Sequence, residues 1–404
     1  MPAEHVRSFF SDRLVNFELD SIVTRLRPEL TRCLRAIVTP SIASAPSRRS
    51  HGHSAPPAIA VMWLLLLCCA CTVLTTAAGC RTEPVANAAA EQQIPPPDAP
   101  RELKTLIGEY GAANDWLTVY EADGQLYADG LGLNRARLRP VAASRFITIA
   151  PPTRQVNFEP NGGGQGVAVE VDGKRLAQRD VGQEVIERIR SGVAANPQQL
   201  RQAALAAVPP SEPPPKRPAN LVDLSSMDQG IKLDIRYASS NNFMGFPLYE
   251  QAAAYMQRPA AEALGRVAHS LARRGYGLLI HDAYRPWFVT KMFWDATPPA
   301  SHIYVADPSQ ASRHNRGCAV DLTLYELKSG EPVEMTGRYD EMSRRSFADY
   351  VGGTSRQRWF RDLLRTSMES EGFAVYPQEW WHFDYKDWGD YGIGNRTFAE
   401  LQRP

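Results

Sequence analysis

Net charge is nearly absent from this 404-residue chain, in which 45 basic residues face 44 acidic ones and leave a balance of +1. Without a basic excess, a nucleic-acid partner has no electrostatic support. Lysine is scarce as well, at seven residues, so arginine carries most of the positive charge. Cysteine is scarcest where a fold would need it. Five of the six precede residue 81, and only Cys318 lies in the body of the chain, which excludes a disulfide framework there. Long apolar runs are missing apart from one at 58–79. What remains is ordinary: 44% hydrophobic residues suffice for a buried core, and the length suits two or three domains.

The single apolar run organises the N-terminal part. Residues 58–79 carry no charge, follow the basic stretch PSRRSHGH, and end in small residues before Cys80. This resembles a lipoprotein-type signal, with an uncleaved membrane helix as the alternative. Either reading makes the remainder exported, periplasmic or in the cell envelope, and membrane-anchored through a lipid or a helix. Residues 1–80 are therefore set apart as tail and signal, and the small, Pro-rich 81–100 as a tether. From 101 to 208 a small β-rich accessory domain is expected, with hairpin turns at Asp123-Gly124 and Asp172-Gly173 and one trailing amphipathic helix. Its "GEY" opening, phenylalanine-bearing strand and "DG" hairpin resemble the β-domain appended to some penicillin-recognising hydrolases. PPSEPPPKRPA at 209–219 reads as a linker, and 220–404 as the domain that carries chemistry.

Within that last domain, SRHNRGCAVDLTLYE (312–326) sets His314 on a turn seven residues before Asp321 on a strand. Alternation puts Ala319, Asp321 and Thr323 on one strand face and Val320, Leu322 and Leu324 on the other. Cys318 alternates away from Asp321 and is expected to pack in the core. Some sixty residues on, EWWH supplies Glu379 and His382. Two histidines, an aspartate and a spare glutamate are the components of a catalytic zinc site with three protein ligands, an open position and a base. His269, His281 and His302 are expected to be structural.

Five ordered motifs extend this pattern: DIRYA (234–238), NNFMG (241–245), GYGLLIHDAYRP (275–286), the 312–326 stretch and EWWH. Together they resemble the zinc D-alanyl-D-alanine dipeptidases of the vancomycin-resistance type, over about 222–385. The resemblance implies an α+β domain with a central antiparallel sheet. It also implies one Zn2+ held by His314, Asp321 and His382, with Glu379 as general base. Arg285, expected exposed at its strand end, would stabilise the tetrahedral oxyanion. Where the family has an "FD-x-M" segment that pins the substrate's ammonium group, this chain reads Tyr339-Asp340-Glu341-Met342. Asp340 takes that role, with Ser312 a second contact and Tyr249 lining the same pocket. One departure is the short stretch from Trp294 to Ser312, which implies a less completely walled cavity.

The activity expected is hydrolysis of D-alanyl-D-alanine in cell-wall dipeptide turnover, with a small D-amino-acid dipeptide as substrate and peptidoglycan as a further contact. Two rivals share the residues. One is a D,D- or L,D-carboxypeptidase trimming peptidoglycan stems, and the other a non-catalytic envelope binding protein.

Overall fold

The computed structural model describes residues 94–402, except 113 and 228–229. The signal-like segment and most of the tether lie outside the described residues, among which no helix is long and apolar enough to cross a membrane.

Eight strands come first: β1 (Gly108–Ala112), β2 (Asp115–Ala122), β3 (Gln125–Gly130), β4 (Leu133–Ala142), β5 (Arg145–Thr148), β6 (Gln155–Pro160), β7 (Gly166–Val171) and β8 (Lys174–Ala177). Each pairs antiparallel with its sequence neighbour. The expected hairpin turns form because Asp123-Gly124 and Asp172-Gly173 hold positive φ at both positions, the twist a two-residue hairpin requires. The meander closes on itself through a bridge between Tyr110 and Gln178 and a bond from Arg179 N to Glu109 O of 3.0 Å. Leu117, Val119, Phe146, Phe158 and Val169 fill its interior.

Beyond the barrel come α1 (Val181–Ala194) and α2 (Pro197–Ala206). One trailing helix was expected, but Asn196 caps a second, and Pro197 at its first position cannot continue the first. The C-terminal half contains β9 (Leu221–Asp223), β10 (Ile231–Leu233), β11 (Tyr255–Gln257), α3 (Arg258–Ala272), β12 (Tyr276–Asp282), α4 (Trp287–Ala296), β13 (Ala319–Glu326), α5 (Ser355–Glu369), β14 (Phe373–Tyr376) and β15 (Glu379–Tyr385). Five of these strands form a sheet in the order β10-β12-β13-β15-β14. The sheet is mixed, not purely antiparallel as expected, because β10 runs parallel to β12 while the other three pairs are antiparallel. Val320, Leu322 and Leu324 of β13 join the core with Leu264 and Leu271 of α3 and Leu364 of α5. Cys318 lies in the same core, and its burial pushes the thiol up to about 12, so it is a packing residue.

The sequence boundaries do not coincide with the packing. Val185, Ile186, Ile189, Val193 and Ala204 belong to the core of the C-terminal half, and α2 lies against α4. Arg190 donates to Asn242 O at 2.5 Å and Arg201 to Leu248 O at 2.7 Å, so both helices also brace the 241–249 loop. The barrel is attached as well. Glu121 N donates to Gly353 O at 3.0 Å, and its carboxylate accepts from Ser355 N at 2.9 Å, an anion at the start of α5. The 209–219 stretch has no helix or strand but is pinned, with Glu212 paired to Arg316 at 2.8 Å and Lys216 to Asp390 at 2.9 Å.

Ile189 is 1% exposed within the shared core. Ile189→Ala, remote from any candidate site residue in sequence, should therefore cost about 2–5 kcal/mol of stability in urea denaturation. A loss below about 0.5 kcal/mol would mean α1 is docked loosely.

Candidate metal centre and its cavity

Two strands and one turn deliver the central residues. Asp321 on β13 is paired directly with His382 on β15, so register alone brings the two side chains together. His314 opens a single 3-10 turn that ends at Gly317, whose φ of +67° lets the chain enter β13. A Cβ on Gly317 would also lie 2.4 Å from Leu221.

The three side chains then converge. His314 Nε2 is 3.2 Å from Asp321 Oδ1 and 3.0 Å from His382 Nδ1, and His382 Nδ1 is 3.0 Å from the same Asp321 oxygen. The opposite ring nitrogens are already committed. His314 Nδ1 donates to Ala283 O at 2.6 Å, and His382 Nε2 donates to Asp384 Oδ1 at 2.9 Å. These two bonds fix the tautomers and leave lone pairs of both imidazoles facing the Asp321 carboxylate, the arrangement of a metal site with its orienting partners. All three residues are buried, and they are the group among the described residues whose donor atoms suit a metal ion. The charges support the same conclusion. Burial opposes the charge on His382, yet Asp384 and Asp321 raise its basicity well above the ordinary imidazole range, so the cluster draws in a cation. Burial would raise Asp321, but His314 and His382 hold its carboxyl well below the usual range.

A cavity of about 460 Å³ opens beside this cluster. Six carboxylates line it (Asp307, Asp321, Asp340, Glu341, Glu379 and Asp384) against two arginines, Arg285 and Arg313. That imbalance favours cationic contents. Glu379 Oε2 lies 3.6 Å from His382 Nδ1, and burial, opposed by His382, pushes its carboxyl up to about 7. Asp340 sits at φ +59° and accepts from Tyr237 Oη at 2.9 Å. Burial and then the charge of Asp321 raise its carboxyl well above the usual range. Ser312 lines the cavity, and its Oγ accepts from His314 N at 3.2 Å.

Two expectations need correction. Arg285 is not exposed at its strand end but 6% accessible, because Asp282 grips its Nε at 2.8 Å and Nη2 at 2.7 Å. Its guanidinium lies over the rings of Phe293 and Tyr237 at 4.7 and 5.4 Å and still lines the cavity. Tyr249 does not line the pocket. It is buried behind Arg285 and donates to Asp282 Oδ1 at 2.7 Å, so it holds the group that holds the arginine. The short 294–312 stretch supplies a substantial part of the wall, with Trp294, Tyr304, Val305 and Gln310 among the lining residues. His302 also lines it, stacked on Trp294 at 3.7 Å and bonded to Thr297 O at 2.9 Å.

Four contributors have no role in the sequence reading. Asp384 was legible in principle, two residues after His382 on one strand. Asp282 is three residues before Arg285, and a β-bulge between Ile280 and Asp282 sets it opposite Asp321. Tyr237 and Tyr339 reach the site from distant loops, so no spacing signals them.

Known proteins provide the remaining comparison. A family model described as D-ala-D-ala dipeptidase matches residues 217–404. The chain is similar to the D-alanyl-D-alanine dipeptidase of Escherichia coli K12, with 34% identity over 173 residues, which are 43% of this chain and 88% of that protein. It is 36% identical over 185 residues to the Enterococcus faecium dipeptidase, covering 41% of this chain and 90% of the relative. Similarity to the Enterococcus faecalis enzyme is 35% over 182 residues, again with 90% of the relative covered. With the metal-type triad and its cavity inside the matched region, the chain belongs, through its C-terminal half, to the D-alanyl-D-alanine dipeptidase family of metallopeptidases.

Proposed function

We propose that the protein is an exported zinc dipeptidase that hydrolyses D-alanyl-D-alanine to two D-alanine molecules. The observation that carries this is one anionic cavity holding a three-ligand cluster, a perturbed glutamate and a half-buried aspartate together. His314, Asp321 and His382 would hold the zinc. Their mix of imidazole and carboxylate suits that ion. When bound, zinc supplies Lewis acidity toward the scissile carbonyl and lowers the pKa of the attacking water.

The chain's own groups divide the remaining work. Glu379 takes the proton of the attacking water and returns it to the leaving amine, the role a carboxylate in a dry site can serve in both directions. Arg285 faces the developing oxyanion. Asp282, Phe293 and Tyr237 keep its planar fork from swinging, so its charge is pre-aligned when the tetrahedral species forms. Asp340, half-buried and without a guanidinium hydrogen-bonded to it, is an acid in need of a cation, and the ammonium group of a free dipeptide supplies one. Ser312 is placed to hydrogen-bond the bound peptide. A carboxypeptidase acting on long stems would have no use for Asp340, which favours the dipeptide reading over that rival.

Zinc-loaded protein should release D-alanine from D-Ala-D-Ala, and Glu379→Ala should cut kcat by about 10²–10⁴-fold while retaining stoichiometric zinc. Activity unchanged in that variant would remove Glu379 from the mechanism. N-acetyl-D-Ala-D-Ala should be refused by the wild type, and Asp340→Asn should raise KM for the free dipeptide about tenfold or more, the scale of a lost charged contact. Equal turnover of the acetylated peptide would instead identify a carboxypeptidase.

The pH profile follows from the sign of the Glu379 shift. Burial, opposed by the charge of His382, lifts its carboxyl to about 7, and a neighbouring divalent cation acts in the opposite direction. The base works ionised, so kcat/KM should fall as pH drops through an acid limb lying below 7 in the zinc enzyme. A limb absent down to pH 4 would be inconsistent with this base.

A further inference from the structure

Asp321 offers two oxygens, and the structure treats them differently. Oδ1 faces both imidazoles, at 3.2 and 3.0 Å. Oδ2 points away from them and accepts a hydrogen bond from Tyr339 Oη at 3.0 Å, with Arg285 Nη2 farther off at 3.5 Å. Tyr339 is also 3.1 Å from Tyr237 Oη, which reaches Asp340 at 2.9 Å. Each phenol has one proton. A carboxylate is a stronger acceptor than a hydroxyl, so Tyr339 donates to Asp321 and Tyr237 to Asp340. The Tyr339 ring is fixed by packing, 5.5 Å from Trp381 and 4.6 Å from His281, so its hydroxyl is aimed before any ligand arrives.

We infer that Tyr339 is a positioning residue for Asp321, holding Oδ2 in a hydrogen bond so that Oδ1 is the oxygen turned toward the imidazoles of His314 and His382, where the ion would be held. The inference rests on the reading of His314, Asp321 and His382 as ligands. A ligating carboxylate with its outer oxygen hydrogen-bonded is oriented and electronically tuned by that bond, and loss of such a partner weakens metal binding. Tyr237 has the parallel task one step away, orienting Asp340 rather than a ligand. The two hydroxyls thereby separate: one serves the metal, the other the ammonium site.

The test uses Tyr339→Phe in the full chain, which keeps the ring and its packing. Zn2+ affinity is measured by competition with a chromophoric chelator, beside wild type, Tyr237→Phe and Asp321→Asn. Tyr339→Phe should bind Zn2+ about tenfold more weakly than wild type, at the lower end of the effect of an orienting partner. It should also lower kcat at saturating zinc with KM within about twofold, whereas Tyr237→Phe should raise KM and leave zinc affinity within about twofold. Unchanged zinc affinity in a folded Tyr339→Phe overturns the inference, as does equal affinity in wild type and Asp321→Asn. A wild type that binds zinc tightly but leaves D-Ala-D-Ala intact would sink the dipeptidase reading alone, because the chelator competition still reads Tyr339.

Discussion

Two imidazole nitrogens and a carboxylate oxygen lie within about 3 Å of one another, with lone pairs converging, on three buried residues at the wall of the cavity. Such a meeting is repulsive without positive charge, and positive charge is what the surroundings are built to attract. The orienting bonds from Ala283 and Asp384 remove the easy escape, a ring flip or tautomer change that would turn donors inward. The other parts of the site depend on this electrostatic demand. The cavity's carboxylate excess supports it, the buried guanidinium of Arg285 moderates it, and Asp340 extends it to the far end of a substrate.

The scaffold meets the demand with few devices. Antiparallel register puts Asp321 opposite His382, a left-handed glycine ends the His314 turn, and a bulge brings Asp282 beside the strand that carries Asp321. Arg285 then inherits its place from Asp282, which Tyr249 holds in turn. Helix α4, which begins two residues after Arg285, is backed by α2 from the N-terminal part. The support of the site therefore extends past residues 217–404, the region that the family model matches.

Legibility in the sequence followed the range of the interactions. His314 and Asp321 could be read because a turn and an alternating strand fix their relation within eight residues. The DG hairpins were equally local. Arg285 was placed correctly at the end of β12 but wrongly in solvent, because its burial depends on Asp282 and on two rings from other elements. Tyr249 was near the right group for the wrong reason. Tyr339 and Tyr237 lie 102 residues apart and meet only in the folded site. The parallel pairing of β10 with β12 was invisible too, since a three-residue strand has no periodicity to declare its direction. The Pro-rich 209–219 stretch marked a boundary in composition, while Val185 to Val193 were already packed beyond it.

The barrel has joined its first and last strands to each other through Tyr110, Gln178 and Arg179. At that seam, backbone donors and acceptors are satisfied internally, so an extended peptide has little ladder there on which to add itself. A peptide meeting this seam would therefore find side chains and loop ends, surfaces that read shape and charge, and not the strand-on-strand pairing by which many β-domains capture peptides.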